Sequence, residues 1–145
     1  MEFYCSHLLE YLSLKDFRID LKNTYESLKK EGIFRCIVPD LEYYAKQYIY
    51  SIDKGENTAS IKFLGDNTLL GTKKRQKGLK AFLQFTWGNS SHLWMWDKLS
   101  LAEELRLAGF SQIRECKFND SADEMFQFVE NKGRFADSVC IECRK

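Results

Sequence analysis

Polar side chains that could do chemistry directly follow two apolar segments of this sequence. His7 comes after residues 1–5, and Asp40 and Glu42 come after residues 33–38. An imidazole can move a proton near neutral pH, and carboxylates can hold or orient a polar ligand. In open α/β sheets, ligands sit beyond the carboxyl ends of the strands. If both apolar segments are strands, these three side chains mark a candidate site for proton transfer and ligand binding.

Each of these residues also has a structural interpretation. His7 could cap or orient its loop without taking part in a reaction. Asp40 and Glu42 could cap the helix that follows them, because carboxylates accept hydrogen bonds from the free N–H groups of a first helical turn. The residues themselves leave both interpretations open.

A further aromatic group, His92, Trp94 and Trp96, precedes an amphipathic helical pattern. It could line a pocket for a small-molecule substrate, or it could fill the core. The basic run of residues 73–77, with aromatic residues nearby, could hold single-stranded nucleic acid. The formal net charge of +1 instead favours a solvated helix flank, so we expect no nucleic-acid partner.

The elements that position these residues begin with a helix that leads into a strand. Ser13 and Asp16 match a capping signal, and apolar residues recur at helical spacing from Leu14 to Leu28. Gly32 is expected to end this helix in the left-handed conformation. The run after it is apolar and β-branched, as in a strand covered on both faces, and Pro39 closes it. A helix feeding such a strand indicates an α/β fold.

The rest of the chain continues this alternation. Apolar spacing predicts a helix over residues 41–53, and another around Leu101, Leu105 and Ala108 with Asp97 or Ser100 as N-cap and Gly109 as its stop. Residues 56–91 are irregular and are interpreted as a variable, mobile insertion or lid that includes a short helix over 79–85. Four strands are expected in all, at residues 1–5, 33–38, 112–118 and 138–143.

Composition bounds the class of protein. With 145 residues, 44% of them hydrophobic, the chain can bury one core and is expected to form a single domain over 1–145. No run approaches the roughly 20 apolar residues that span a bilayer, so no membrane partner is expected and a cytoplasmic protein is the default expectation. The cysteines are odd in number and lie in expected strands, so all five are interpreted as reduced core thiols. Cys140 and Cys143 should point to opposite faces of a strand, which argues against a metal site.

Several stretches, in order, resemble the middle and end of small class I S-adenosylmethionine-dependent methyltransferases. Residues 4–12 read Tyr-Cys-Ser-His-Leu-Leu-Glu-Tyr-Leu, residues 28–33 read Leu-Lys-Lys-Glu-Gly-Ile, and residues 37–42 read Ile-Val-Pro-Asp-Leu-Glu. Residues 92–110 and 141–145 are similar to the segment before the family's sixth strand and to its closing strand. Tyr11 stands where the family usually has His, and Lys30 and Glu31 stand where it has Pro-Gly.

The resemblance implies a partial Rossmann-like methyltransferase sheet with flanking helices. Its four strands would lie in the order first, second, fourth, third, with the last strand antiparallel. The resemblance also assigns roles: Tyr4, Cys5 and Ser6 would face the cofactor S-adenosylmethionine, and His7 would be the catalytic residue. Asp40, Glu42, His92 and Trp94 would face an unknown small-molecule acceptor.

The resemblance implies that the chain corresponds to the acceptor-side, C-terminal half of that family. The family's first strand, with its Gly-x-Gly loop, and the acidic residue that holds the ribose hydroxyls have no counterpart here. We therefore expect a truncated or split methyltransferase that alone binds S-adenosylmethionine poorly or not at all and is inactive. The alternative is a non-catalytic interaction module that retains the fold.

The first strand is expected to have an open edge. The family strand that would flank it has no counterpart, and unpaired backbone groups on an apolar edge favour pairing with another chain. The expected partner is a second copy, joined through residues 1–5 or the adjoining helix faces across a two-fold axis, or a complementing N-terminal half.

Overall fold

The computed structural model describes residues 1–71 and 91–145. The predicted helix over 79–85 and the basic run of residues 73–77 lie outside them. In chain order the elements are β1 (Glu2–Ser6), a 3₁₀ turn (Leu9–Tyr11), α1 (Leu14–Ser27), β2 (Ile33–Pro39), α2 (Leu41–Asp53), α3 (Ala59–Ile61) continued by a π-helical turn (Lys62–Asn67), α4 (Lys98–Leu107), β3 (Ser111–Glu115), 3₁₀ turns (Glu124–Phe128 and Lys132–Phe135) and β4 (Ser138–Arg144).

The four strands form one mixed sheet in the order β1-β2-β4-β3. β1 and β2 are parallel, with Cys5 opposite Cys36, and β4 is antiparallel to both β2 and β3. This confirms the predicted α/β class, the strand order and the antiparallel last strand. β3 ends before the predicted limit at residue 118, because Asp120 accepts a hydrogen bond from the Lys117 amide and Arg35 donates one to the Lys117 carbonyl.

β2 is the central strand of the core. All seven of its residues are buried, as predicted for a strand covered on both faces. On one face, α1 and α4 form a single apolar cluster with the sheet, in which the Phe17 ring lies 4.3 Å from the ring of Trp96. Phe17, Leu101 and Leu105 are fully buried there. The apolar spacing in the sequence therefore identified the helix faces that cover the sheet.

The predicted caps of the helices are present, but one glycine acts differently. The Ser13 hydroxyl accepts a hydrogen bond from the Asp16 amide at the start of α1, and Asp97 forms a capping box with Ser100 at the start of α4. Gly109 follows α4 with a left-handed φ of 106°, as its role as a helix stop requires.

The prediction for Gly32 was wrong. α1 ends at Ser27, and the left-handed residue of the following turn is Glu31, with φ of 63°. Glycine is needed at position 32 for a close approach, because a Cβ there would lie 2.8 Å from the carbonyl oxygens of both Lys29 and Met1. The constraint at Gly32 is therefore steric and involves the chain terminus, which is distant in sequence.

The second face of the sheet is covered by the connection between β3 and β4, which a buried ionic cluster holds in place. Arg35 of β2 is fully buried and donates to Glu142 at 2.9 Å, to Asp120 at 3.1 Å, and to Glu130. Arg114 also donates to Glu142, at 2.8 Å. The sequence did not predict this cluster, since an arginine inside an apolar strand carries no indication of its partners.

The interpretation of all five cysteines as reduced thiols was wrong for two of them. Cys116, the residue after β3, forms a disulfide with Cys140 of β4, and their Cα atoms are 5.3 Å apart. Cys140 and Cys143 belong to clusters on opposite faces of β4, as predicted. Within residues 1–71 and 91–145, no helix combines the length and the apolar character needed to cross a membrane.

Candidate functional site

Four segments meet at the carboxyl ends of β1 and β2. The turn after β1 joins β2 through a hydrogen bond from the His7 amide to the Ile37 carbonyl, 2.9 Å long. The Glu10 carbonyl accepts hydrogen bonds from the amides of Leu93 and Trp94, at 2.8 and 3.2 Å. These contacts bring the predicted residues of the first strand end together with the aromatic group around residue 92.

The carboxyl end of β2 contacts the same segments. The Leu41 amide donates to the Trp96 carbonyl at 2.8 Å, and Asp40 forms an isolated parallel β-bridge with Trp96. The Asp40 amide donates to the Asp137 carbonyl at 3.0 Å, which adds the chain just before β4. Because β1 and β2 are parallel, their carboxyl ends lie on the same side of the sheet. The candidate residues that follow the two strands therefore lie close together, as expected from their positions in the sequence.

His7 lies between two hydrogen-bond acceptors. Its Nε2 is 2.9 Å from the Arg134 carbonyl oxygen and 3.5 Å from the Ser138 hydroxyl, and its Nδ1 is 3.5 Å from Glu10 Oε1. The hydrogen bond to Glu10 raises the pKa of His7; burial opposes this, and the hydrogen bond to the Arg134 carbonyl adds to it. His7 also has a left-handed backbone, with φ of 52°, that turns the chain at the end of β1.

Glu10 belongs to this site although the sequence analysis did not single it out. Its side chain is 1% exposed, and Oε2 is buried without a hydrogen-bond partner. Burial of a carboxylate is costly unless it is paired, so the contact with His7 is important for both residues. The spacing of three residues between His7 and Glu10 on a short turn is the signal that could have identified the pair.

Asp40 adopts the capping arrangement that the sequence left open, whereas the Glu42 side chain does not cap the helix. Asp40 is the N-cap of α2, where its Oδ1 accepts a hydrogen bond from the Glu42 amide at 2.9 Å. Glu42 is exposed and forms an ion pair with Lys46, one helical turn later. Both carboxylates nevertheless remain at the edge of the sheet where the four segments meet.

The aromatic group divides into a buried and an exposed part. Trp96 is 2% exposed and belongs to the core, while Trp94 is 40% exposed. His92 is buried, with its ring 5.1 Å from the Tyr11 ring in an edge-on arrangement, and its Nδ1 has no hydrogen-bond partner. Trp94 therefore offers an aromatic surface beside the site, and His92 a buried polar atom.

The three residues predicted to face the cofactor do not share one surface. Side chains alternate along a strand, and Cys5 lies on the face covered by α1 while Tyr4 lies on the other face, beside Phe126. The Ser6 hydroxyl is buried without a hydrogen-bond partner at the end of β1. Ser6, the last residue of β1, and His7, which follows it, therefore lie at the strand end where the candidate site is.

Residues 134–138, here called the strap, complete the edge of the site and were missed by the sequence analysis. The Arg134 carbonyl contacts His7, the Asp137 carbonyl contacts Asp40, and the nearby Asp137 carboxylate raises the pKa of Tyr43. No local pattern predicts these contacts, because His7 and Arg134 are 127 positions apart.

Comparison with known proteins gives a likeness of fold. No protein-family model matches the chain, and no curated protein matches it. Among solved structures it is similar to the crystal structure of a SAM dependent methyltransferase from Archaeoglobus fulgidus, with a TM-score of 0.51 and 12% sequence identity. The match covers 99% of this chain and 58% of that one, so the chain spans little more than half the length of that protein. The chain thus has a partial, Rossmann-like methyltransferase fold.

Proposed function

We propose that this chain supplies the methyl-acceptor side of an S-adenosylmethionine-dependent methyltransferase. The observation that supports the proposal is that His7, Asp40, His92 and Trp94 lie around one edge of a sheet with the methyltransferase strand order. Methyl transfer is a displacement at a sulfonium methyl group, so positioning of the two reactants can carry much of the catalysis. In this proposal the exposed Trp94 ring and the Asp40 carboxylate orient a small-molecule acceptor.

The residues present fit only part of the cofactor. The unpartnered buried hydroxyl of Ser6 could accept or donate one hydrogen bond at the end of β1, while the Glu10 carboxylate there faces His7. A glycine loop for close approach and a carboxylate for the ribose hydroxyls are missing from this strand end. We therefore propose that a second structural part, on the open side of β1, holds most of the cofactor.

The test is titration of the chain with S-adenosylmethionine, followed by amide NMR. We expect weak binding, in the millimolar range, with signal changes confined to the ends of β1 and β2 and to the region of His92. Ser6→Ala should reduce these changes. Ser111→Ala is the matched control, because the Ser111 hydroxyl contacts the Arg144 carbonyl at the opposite sheet edge. Signal changes elsewhere, or binding as tight as the micromolar range, would contradict the proposal, because the chain would then not need a second part to hold the cofactor.

A second candidate function is that of an interaction module, and the open edge of β1 favours it. In the described part of the chain, β1 forms a ladder with β2 alone. A trough beside it is lined by Phe3, Cys5, Leu8 and Phe34, together with polar residues of α1 that include Asp20. Leu8 is 59% exposed there. Among residues 1–71 and 91–145, nothing pairs with the outer backbone groups of β1, and apolar side chains lie beside them.

In this second candidate, two copies form a homodimer by pairing their β1 strands antiparallel across a two-fold axis. A two-fold axis perpendicular to the sheet leaves corresponding faces of the two copies on the same side. Residues that face each other across the new strand pair therefore point their side chains to the same face. Centred on Tyr4, it places Phe3 opposite Cys5 and Glu2 opposite Ser6, and all five strand residues pair. Both candidate functions require the open edge of β1. A chain that pairs this edge with a second copy cannot use it for a cofactor-binding part, so the two functions are alternatives.

Light scattering during size exclusion separates the two. A homodimer that weakens in Phe3→Ser, but not in Leu99→Ser at an exposed position of α4, supports the interaction module. A monomer at high concentration excludes the homodimer and leaves β1 free for the cofactor-binding part.

A further inference from the structure

His7 is held in a position that suits only its protonated form. Nε2 faces two oxygen acceptors, the Arg134 carbonyl at 2.9 Å and the Ser138 hydroxyl at 3.5 Å. The hydrogen of the Ser138 hydroxyl is donated to the Ala136 carbonyl at 2.9 Å, so its oxygen is free to accept from His7. Nε2 must therefore carry a hydrogen.

The other ring nitrogen faces a carboxylate. Nδ1 is 3.5 Å from Glu10 Oε1. A neutral imidazole protonated at Nε2 would turn the lone pair of Nδ1 toward this oxygen, whereas an imidazolium donates from both nitrogens. Loss of the proton would also leave the 1% exposed Glu10 carboxylate without a positive partner.

We propose that protonated His7 is a clamp that fastens the strap, residues 134–138, to the end of β1. Loss of its Nε2 proton to water leaves the remaining ring hydrogen on Nδ1 for the Glu10 carboxylate, turns the Nε2 lone pair toward the Arg134 carbonyl oxygen and thereby loosens the strap from the candidate site. The proposal goes beyond the proposed function and does not depend on S-adenosylmethionine. His7 acts here as a positioning residue, because it touches the strap and no reacting group.

The strap matters to the site because it is also attached to the second strand end. The Asp137 carbonyl accepts a hydrogen bond from the Asp40 amide, 3.0 Å long, at the start of α2. The Arg134 end is held by His7, with Phe135 between the two attachments contacting Phe118 at a ring separation of 5.5 Å. Release of the Arg134 end would let the strap move about its attachment at Asp137.

The charges around His7 determine the direction in which its pKa is shifted. The Glu10 carboxylate, on the turn after β1, raises the pKa of His7, and the positive charge of Arg134 on the strap lowers it, as does burial. β2 contributes the Ile37 carbonyl and β4 the Ser138 hydroxyl, neither of which titrates. The net effect is a pKa above the ordinary value of 6.5. His7 therefore holds the strap at pH values below its ordinary pKa and releases it as the pH rises through the raised pKa.

The experiment is an NMR titration of the whole chain, which contains two histidines. We expect the His7 ring signals and the amide signals of the strap to shift with one common midpoint, above the ordinary histidine value. In Glu10→Gln both midpoints should move to lower pH together. In His92→Gln, which removes the other imidazole, the strap midpoint should stay unchanged.

A second variant keeps the test decisive if Glu10→Gln does not fold. His7→Asn removes the titrating group, and asparagine, like histidine, tolerates the left-handed backbone at this position. Hydrogen exchange in this variant should show a strap with reduced protection at every pH tested. Strap amides that do not follow the His7 midpoint, or that keep their protection and pH response in His7→Asn, would overturn the proposal.

Discussion

Replacement of Arg35 by methionine tests how the second face of the sheet is held. Arg35 is fully buried, and methionine is long enough to fill much of its volume, so the main loss is electrostatic. Glu130 has a fully buried side chain and loses its ion pair with Arg35, keeping a hydrogen bond from the Asn119 amide. Glu142 keeps Arg114, and the more exposed Asp120 can be solvated. Glu130 is therefore the group left uncompensated.

Removal of one partner from a buried ion pair costs about 3–5 kcal/mol. We expect Arg35→Met to lower the free energy of unfolding by roughly this amount. For a chain of this size the melting temperature should fall by about 6–20 °C, at about 2–4 °C per kcal/mol. Urea unfolding followed by far-UV circular dichroism at neutral pH measures the free energy, and a thermal scan measures the melting temperature.

Two further variants make this result interpretable. Arg106→Met breaks an exposed pair with Glu103 and should leave the free energy of unfolding nearly unchanged, because water screens this pair. Adding Glu130→Gln to Arg35→Met removes the Glu130 charge that has lost its partner and should restore part of the lost free energy of unfolding. If Arg35→Met destabilises the protein no more than Arg106→Met does, the ionic cluster does not hold this face and the reasoning is wrong.

Three other perturbations follow from the packing. Phe17→Ala empties a fully buried site against Trp96 and should cost about 3–5 kcal/mol in urea unfolding. Gly32→Ala places a Cβ against two backbone carbonyl oxygens and should cost about 1–3 kcal/mol, measured by thermal unfolding. Reduction of the disulfide between Cys116 and Cys140, 24 positions apart, should lower the free energy of unfolding by about 3–4 kcal/mol, measured in urea with and without a thiol reductant.

Each of these has a control within the chain. Leu99→Ala alters a side chain that is 77% exposed and should change stability by less than about 0.5 kcal/mol; a similar loss in both variants would mean that Phe17 is not a core residue. A Gly32→Ala protein as stable as the wild type would exclude the close approach. The reductant should leave the double variant Cys116→Ser, Cys140→Ser unchanged, and an equal effect on it would show that the disulfide is not the cause.

Much of the framework was predictable because it depends on neighbours in sequence. The apolar run before Pro39 specified a buried strand, and hydroxyl or carboxylate side chains at Ser13 and Asp97 specified where two helices begin. The succession of these elements, read with the methyltransferase resemblance, gave the strand order and the direction of the last strand. The same order placed His7 and Asp40 at one sheet edge, since parallel strands end on the same side.

The partners of the polar side chains were not predictable, because they depend on contacts between residues far apart in sequence. His7 meets Arg134 across 127 positions, and Arg35 meets Glu130 across 95. The sequence by itself determined which segments become strands and helices and which polar residues lie at strand ends. Only the tertiary structure decided that His7 is held between Glu10 and the strap, and that a buried arginine fastens the second face. The physical reason is that hydrophobic periodicity specifies which side of an element is buried, whereas hydrogen bonds and ion pairs require particular atoms within about 3 Å.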